Sequence, residues 1–317
     1  MCKFSIIIPC YNAEKYVLRL IKMFENKEYT DYEVIFIDDC STDNTYELLN
    51  ENKLQNFSVY KMKKNSGPGM VRNYGIQCAN AENIMFCDSD DEFDISVLSE
   101  IDDFLEKHED ADLIVFPHKM VRKYKEITED SYSKYKNGDK VDIYDILDGC
   151  PTPWAKIYKK SVIYNNNVEF PARMTGEDRC FLVNYAVYVK AAYKCDHLYY
   201  RYMMNEGSIP HRRITDPNQK TTFEILQKVY AEHFPEIEIK MFVDTHLLSK
   251  AKIFCDAKCS MKDIGDFYLQ ENKKFPNWIE KIDISSQSLY RQLIYKAMYN
   301  NNAIAIKAIM LVRRMLY

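Results

Sequence analysis

Five short apolar runs punctuate the first part of the chain: SIIIP (Ser5 to Pro9), YEVIFID (Tyr32 to Asp38), FSVYKM (Phe57 to Met62), ENIMFC (Glu82 to Cys87) and DLIVFP (Asp112 to Pro117). Each is short for a helix, and SIIIP is apolar without alternation, as a strand covered on both faces must be. Between the runs, apolar residues recur at helical spacing. Asn12 stands where it can cap a helix from about Ala13 to Asn26. A second helix follows the turn-rich DDCSTDNT and runs to about Lys53, a third follows a Gly/Pro loop, and a fourth spans about Ser96 to His108. Strands alternating with helices predict an α/β fold with a parallel sheet and right-handed crossovers. Ligands bind beyond the carboxyl ends of such strands, and the polar groups gather there: Tyr11-Asn12, Asp38-Asp39 and Asp88 to Asp91.

Residues 118 to 140 are charged and rich in tyrosine, which predicts a solvated hairpin or loop. A mixed region follows, and from about Thr215 helical periodicity dominates, so the expected division is a domain over 1–214 and a helical C-terminal region over 215–317. The final stretch, NNAIAIKAIMLVRRMLY, is too short to span a bilayer, and Lys307 and Arg314 fall near one helical face. Two roles suit it: lying in a headgroup region beside a lipid-linked acceptor, or packing on its neighbours or in a homodimer.

Composition narrows the class. A net charge of −4 with both signs interspersed argues against a nucleic-acid binder. The ten cysteines show no CxxC pair and no zinc spacing, which predicts reduced thiols in the cytoplasm. The start, MCKFSIIIPCYN, carries no signal-peptide pattern, and no apolar run approaches membrane-spanning length, so a soluble or peripheral protein is expected.

The chemistry concentrates in three places. FCDSDDEF sets Asp88, Asp90 and Asp91 directly after a strand. Clustered carboxylates repel one another unless a cation sits among them, and hard oxygen ligands suit Mg or Mn bridging a diphosphate; a solvated acidic turn fits the pattern equally. In KKNSGPGMVRNYGI, Gly67 and Gly69 permit close backbone approach, the helix N-terminus favours an anion, and Arg72 can reach a phosphate, although an ordinary connecting loop reads the same. Tyr11 can stack on a base, and Asp39 can accept a uracil ring N–H or form an Asx-turn.

In this order SIIIPCYNAEKY, VIFIDDCSTDNT, NSGPGMVRNYGI, FCDSDDEF and TGEDRCF resemble glycosyltransferase family 2, over roughly residues 4 to 181. The resemblance implies a GT-A Rossmann-like fold, mostly parallel, with helices on its faces. It also implies that Pro9, Tyr11, Glu14 and Asp39 line the nucleotide, that Arg72 lies near it, that Asp88 lies near the ribose, and that Asp90, with Asp91 beside it, holds the metal. It makes Asp178 the catalytic base of an inverting transfer, with Glu177 competing; both also suit a helix N-terminus. Cys40 and Ile95 stand where the family often has Gly and Pro. TPWAKIYKKS resembles an acceptor-side segment in which Trp154 and Lys156 face the site, though Trp154 fits a core position as well. LYYRYMMNEGSI resembles a segment in which Arg201 and Ser208 meet the diphosphate, and His211 is a further metal or phosphate candidate against a surface role.

The expectation is therefore transfer of a hexose or N-acetylhexosamine from a UDP-sugar to a saccharide or lipid-linked saccharide hydroxyl, in bacterial surface-glycan assembly. A sugar nucleotidyltransferase is the rival enzyme, but PCYNAEKY follows the first strand where that class carries a glycine-rich basic loop. A non-catalytic nucleotide- or sugar-binding module is the other rival, and its mark would be loss of Asp90 or Asp178.

Overall fold

A computed structural model describes residues 2–25, 29–123, 125–172, 176–204, 220–257 and 259–316, with 314–316 by backbone alone. The chain divides into two compact units, Met1–Glu206 and Gly207–Tyr317. The boundary expected near residue 214 falls outside the described residues.

In the first unit β1 (Phe4–Cys10), β2 (Tyr32–Asp38) and β3 (Phe57–Lys61) alternate with α1 (Glu14–Met23), α2 (Thr45–Glu51) and α3 (Pro68–Cys78). Then come β4 (Asn83–Phe86), β5 (Glu92–Phe93), a 3₁₀ turn at Ile95–Val97, α4 (Leu98–Glu106) and β6 (Leu113–Val115). The hairpin β7 (His118–Arg122) and β8 (Lys125–Glu129) precedes α5 (Ile143–Asp148), β9 (Lys156–Lys159), α6 (Lys160–Asn165), α7 (Glu177–Ala186), β10 (Ala192–Lys194) and β11 (Tyr200–Met203).

The main sheet has the order β10-β6-β9-β4-β1-β2-β3. β1, β2, β3 and β4 pair in parallel, as their apolar runs predict, whereas β9 enters antiparallel between β4 and β6. Alternation along β1 divides the core into two layers. Ile6 and Ile8 pack with Val17 and Leu20 of α1 and with Leu98 and Ile101 of α4. Ile7 faces the other way, with Val71 and Ile76 of α3 and Phe181 and Tyr185 of α7. A second sheet, β5-β11-β7-β8, contains the hairpin expected within 118 to 140. Tyr132, just beyond the hairpin, is buried rather than solvated.

Asn12 does not cap α1. It adopts φ 49°, and its side-chain oxygen accepts the Thr42 N–H at 2.9 Å, because the loops after β1 and β2 bind each other. The N-cap position falls to Ala13, whose own N–H donates to Thr45 Oγ1.

The second unit is helical throughout its described elements: α8 (Thr222–His233), α9 (Pro235–Met241), a π-helical stretch at Phe242–Leu247, α10 (Leu248–Asp256), α11 (Met261–Lys274), α12 (Leu289–Tyr299) and α13 (Ala303–Leu316). Thr221 and Glu224 form a capping box on α8. Ile306 and Met310 of α13 are buried, and Lys307 donates to the Cys259 carbonyl. Among the described residues no helix is long and apolar enough to cross a membrane. All ten cysteines are free thiols.

Candidate active site

The parallel register brings three strand ends together, Cys10 opposite Asp38 and the Cys87 N–H on the Ile7 carbonyl. The turns that follow carry the candidate residues. The loops after β1 and β2 are sewn together: Glu14 accepts from the side chain and backbone N–H of Asn44, while the Glu14 N–H donates to Asp43. Tyr11 stands half exposed at the rim and Pro9 is partly covered.

Asp39 is buried, and its two carboxylate oxygens accept the N–H groups of Ser66 and Gly67 at 2.7 and 2.8 Å. The anion satisfying the start of α3 is thus the chain's own carboxylate. Gly67 is required there because the turn needs φ 85°. The close approach at Gly69 is to Phe170 and Pro171, an internal packing contact: a Cβ would stand 3.0 Å from the Pro171 carbonyl oxygen.

From α3 the Arg72 side chain reaches two carboxylates. One guanidinium nitrogen donates to Asp178 Oδ1 at 2.9 Å and the other to Asp88 Oδ1 at 2.8 Å. Arg72 is only 3% exposed, and the Phe170 ring lies 5.4 Å beneath its guanidinium carbon. Burial opposes its charge, but Asp178 and Asp88 outweigh that and raise its pKa. Its Nε is buried without a hydrogen-bond partner among the described residues.

Asp178 and Glu177 open α7 immediately after Gly176, whose φ of 86° sets the turn. Burial drives the Asp178 pKa up to about 6; Arg72 pulls against it, while Glu177 and Asp88 push the same way. A carboxylate poised near neutrality and held by an arginine is suited to taking a proton. Lys156 is buried nearby. Its ammonium donates to the Cys150 and Thr152 carbonyls, and desolvation lowers its pKa.

The three aspartates after β4 separate into different roles. Asp91 is 1% exposed and both its oxygens are engaged: Oδ2 by the Tyr200 hydroxyl at 2.5 Å, Oδ1 by the Met203 N–H at 2.8 Å. These bonds anchor the turn through Asp91; burial, then Asp88, raises its pKa. Asp88 and Asp90 stay partly exposed. Among the described residues no three His, Cys, Asp or Glu side chains gather around a common metal position. Mg commonly binds through only one or two carboxylates and completes its shell with water and substrate phosphates.

Of the two positions open to Trp154, the structure has the core one. It is buried and stacks on Tyr200 (centroids 4.6 Å, 7°) and Tyr202 (5.5 Å, 18°), with His118 edge-on at 4.7 Å, so it belongs to an aromatic pile. Ala155 at φ 53° turns both Trp154 and Lys156 inward. Arg201 pairs with Glu92 at 3.2 Å and Glu126 at 2.9 Å, and so ties β5 to the hairpin. Ser208 and His211 lie outside the described residues. Sequence reasoning passed over Tyr200 beside Arg201 and Arg19 on α1, which donates to the Asp90 and Asp91 carbonyls at 2.8 and 3.1 Å. Strand alternation in YYRYM was the available signal for Tyr200, since it puts Tyr200 and Arg201 on opposite faces.

A mostly parallel sheet with its polar residues beyond the ends of β1, β2 and β4, joined by a small second sheet, defines a GT-A fold. Residues 5–165 match the model of glycosyl transferase family 2, and the chain belongs to that family. It is 30% identical over 236 residues to the poly(ribitol-phosphate) β-N-acetylglucosaminyltransferase TarP of Staphylococcus aureus strain N315, covering 73% of this chain and 72% of TarP. It is 28% identical over 242 residues to the poly(ribitol-phosphate) β-N-acetylglucosaminyltransferase TarS of S. aureus strain Mu50, and spans 40% of that protein's length. A poly(ribitol-phosphate) β-glucosyltransferase of Bacillus spizizenii is 32% identical over 212 residues, 33% of its length. The crystal structure of S. aureus TarS 1-349 in complex with UDP-GlcNAc superposes with a TM-score of 0.73 at 21% identity, covering 99% of this chain and 92% of that one.

Proposed function

We propose that this chain transfers a hexose or N-acetylhexosamine, glucose or N-acetylglucosamine by the names of its relatives, from a UDP-sugar to a hydroxyl of a polyol-phosphate or saccharide polymer of a bacterial surface, with inversion. The observation that carries the reading is Arg72, shared at 2.8 and 2.9 Å between the aspartate turn and the first turn of α7. One cation thereby joins the group that meets the donor's phosphates to the group that meets the acceptor.

In this reading Tyr11 stacks on uracil, and Asp39, besides holding the start of α3, offers its remaining lone pairs to the ring N–H. Pro9 and Glu14 shape the rest of the nucleotide wall. Asp88 and Asp90 would hold Mg or Mn, which would supply positive charge for the leaving diphosphate. Arg72 adds fixed charge on the same side, in a site where little reorganisation is needed. Asp178 takes the proton of the acceptor hydroxyl as that oxygen attacks the anomeric carbon opposite the departing UDP, and the dipole at the start of α7 holds the carboxylate ready.

Family membership weighs against a nucleotidyltransferase, and the presence of both Asp90 and Asp178 weighs against a binding module that has lost its chemistry. The test is UDP release from UDP-glucose and UDP-N-acetylglucosamine with a polyol-phosphate acceptor. Asp178→Asn is expected to lower kcat by about 10²–10⁴ with UDP affinity unchanged, the range for loss of a general base. Unchanged turnover in that variant would remove Asp178 from the role.

A further inference from the structure

Tyr200 and Trp154 lie outside the machinery described so far, yet they touch it at its most constrained point. The Tyr200 hydroxyl is fully buried; it donates to Asp91 Oδ2 at 2.5 Å and accepts the Asp88 N–H at 3.2 Å. One atom therefore spans the turn from its first aspartate to its last. From the other side Arg19 grips the Asp90 and Asp91 carbonyls. Backbone at all three aspartates is thus held by groups outside the turn, while the Asp88 and Asp90 side chains stay partly exposed. Beneath Tyr200 lies the indole of Trp154, nearly coplanar at 7° and 4.6 Å. Trp154 sits in sequence between Thr152, whose carbonyl accepts from Lys156, and Lys156 itself, whose charge acts on Asp178, so the stack links this segment to the turn.

We propose that Tyr200, seated on Trp154, is a positioning residue that sets the Asp88–Asp91 turn for the nucleotide diphosphate. The inference rests on the transferase reading above. It assigns Tyr200 no contact with substrate and no proton transfer; the residue acts through Asp88 and Asp91. It also gives a physical reason for a buried tryptophan in the acceptor-side segment, since a rigid indole fixes the height and tilt of the phenol.

Tyr199 supplies the control. It is equally buried, and its hydroxyl donates to the Lys156 carbonyl at 3.2 Å, away from the turn. Tyr199→Phe and Tyr200→Phe each delete one buried hydroxyl and keep the ring. UDP affinity by calorimetry in Mg buffer, donor and acceptor KM, and thermal midpoint are measured for both and for Trp154→Leu. Expected for Tyr200→Phe is a UDP Kd and donor KM raised about tenfold, the order seen when a group that orients a ligand is removed, with acceptor KM unchanged. Tyr199→Phe is expected to lose comparable thermal stability and keep its UDP affinity, and Trp154→Leu to weaken UDP in the same direction as Tyr200→Phe. Equal UDP affinity in Tyr200→Phe and wild type overturns the proposal, as does equal weakening in both tyrosine variants, which would mean general loosening. Wild type that binds no UDP brings down the transferase reading and this inference with it; wild type that binds UDP while Tyr200→Phe matches it brings down the inference alone.

Discussion

At Asp178 burial and the Arg72 charge pull in opposite directions, and burial, with Glu177 and Asp88 on its side, wins: the carboxyl is pushed up to about 6 despite the guanidinium 2.9 Å away. A base must be ionised to work, so kcat/KM is expected to fall as pH drops through about 6 and to level off above it. Arg72 lowers this pKa, so Arg72→Gln should move the acid limb of the profile to higher pH as well as weaken nucleotide binding; a limb that stays in place would separate the two groups electrically. The same shift has a sign for stability. The folded protein holds this proton more tightly than the unfolded chain, whose aspartate titrates near ~3.9. The contribution is therefore full below that value and is lost as pH rises through about 6, so the protein does without it under working conditions. Which aspartate does which job was not legible in DSDD. Asp91 and Asp88 differ by three positions, and only their surroundings make one an anchor and the other a partner of Arg72.

Among the elements, α3 shows how tightly a connection can be set. Its Gly75 lies against the sheet, and a Cβ there would stand 2.4 Å from Ile7 Cγ2 and 2.8 Å from Ile37 Cδ1. Gly75→Ala would gain up to about 1 kcal/mol of helix propensity. Overpacking against β1 and β2 costs about 1–3 kcal/mol and is expected to win, lowering the urea midpoint and shifting Arg72 with the helix. A midpoint at or above wild type would mean that Ile7 and Ile37 move aside. The strands themselves were legible because burial on both faces removes polar residues from the sequence locally. The antiparallel insertion of β9 was not, since KIYK says nothing about which neighbours it will find. Nor was the failed cap at Asn12, where a cross-loop hydrogen bond to Thr42 displaced a local one.

For the molecule as a whole, the proposed donor site lies within Met1–Glu206, and the helical residues after it form a second unit with its own core. UDP with Mg at 100 times its Kd should add about 2.7 kcal/mol to the stability of the unit that binds it, seen as a raised melting transition. Amide-exchange protection is expected inside Met1–Glu206, and chelation should remove most of the shift; a shift indifferent to EDTA would leave Asp88 and Asp90 without a metal. The sequence by itself determined the α/β alternation, the strand cores, the positions of the polar turns and the helical character of the second unit. These follow from periodicity and turn chemistry, which act over a few residues. Only the tertiary structure decided that Asp39 closes the start of α3, that Trp154 belongs to an aromatic stack, and that Arg72 is shared by two carboxylates. Those assignments depend on partners far along the chain, with Arg72 and Asp178 separated by 106 positions and Asp91 and Tyr200 by 109. A hydrogen bond is made by what the fold brings within about 3 Å, and no local pattern encodes that meeting.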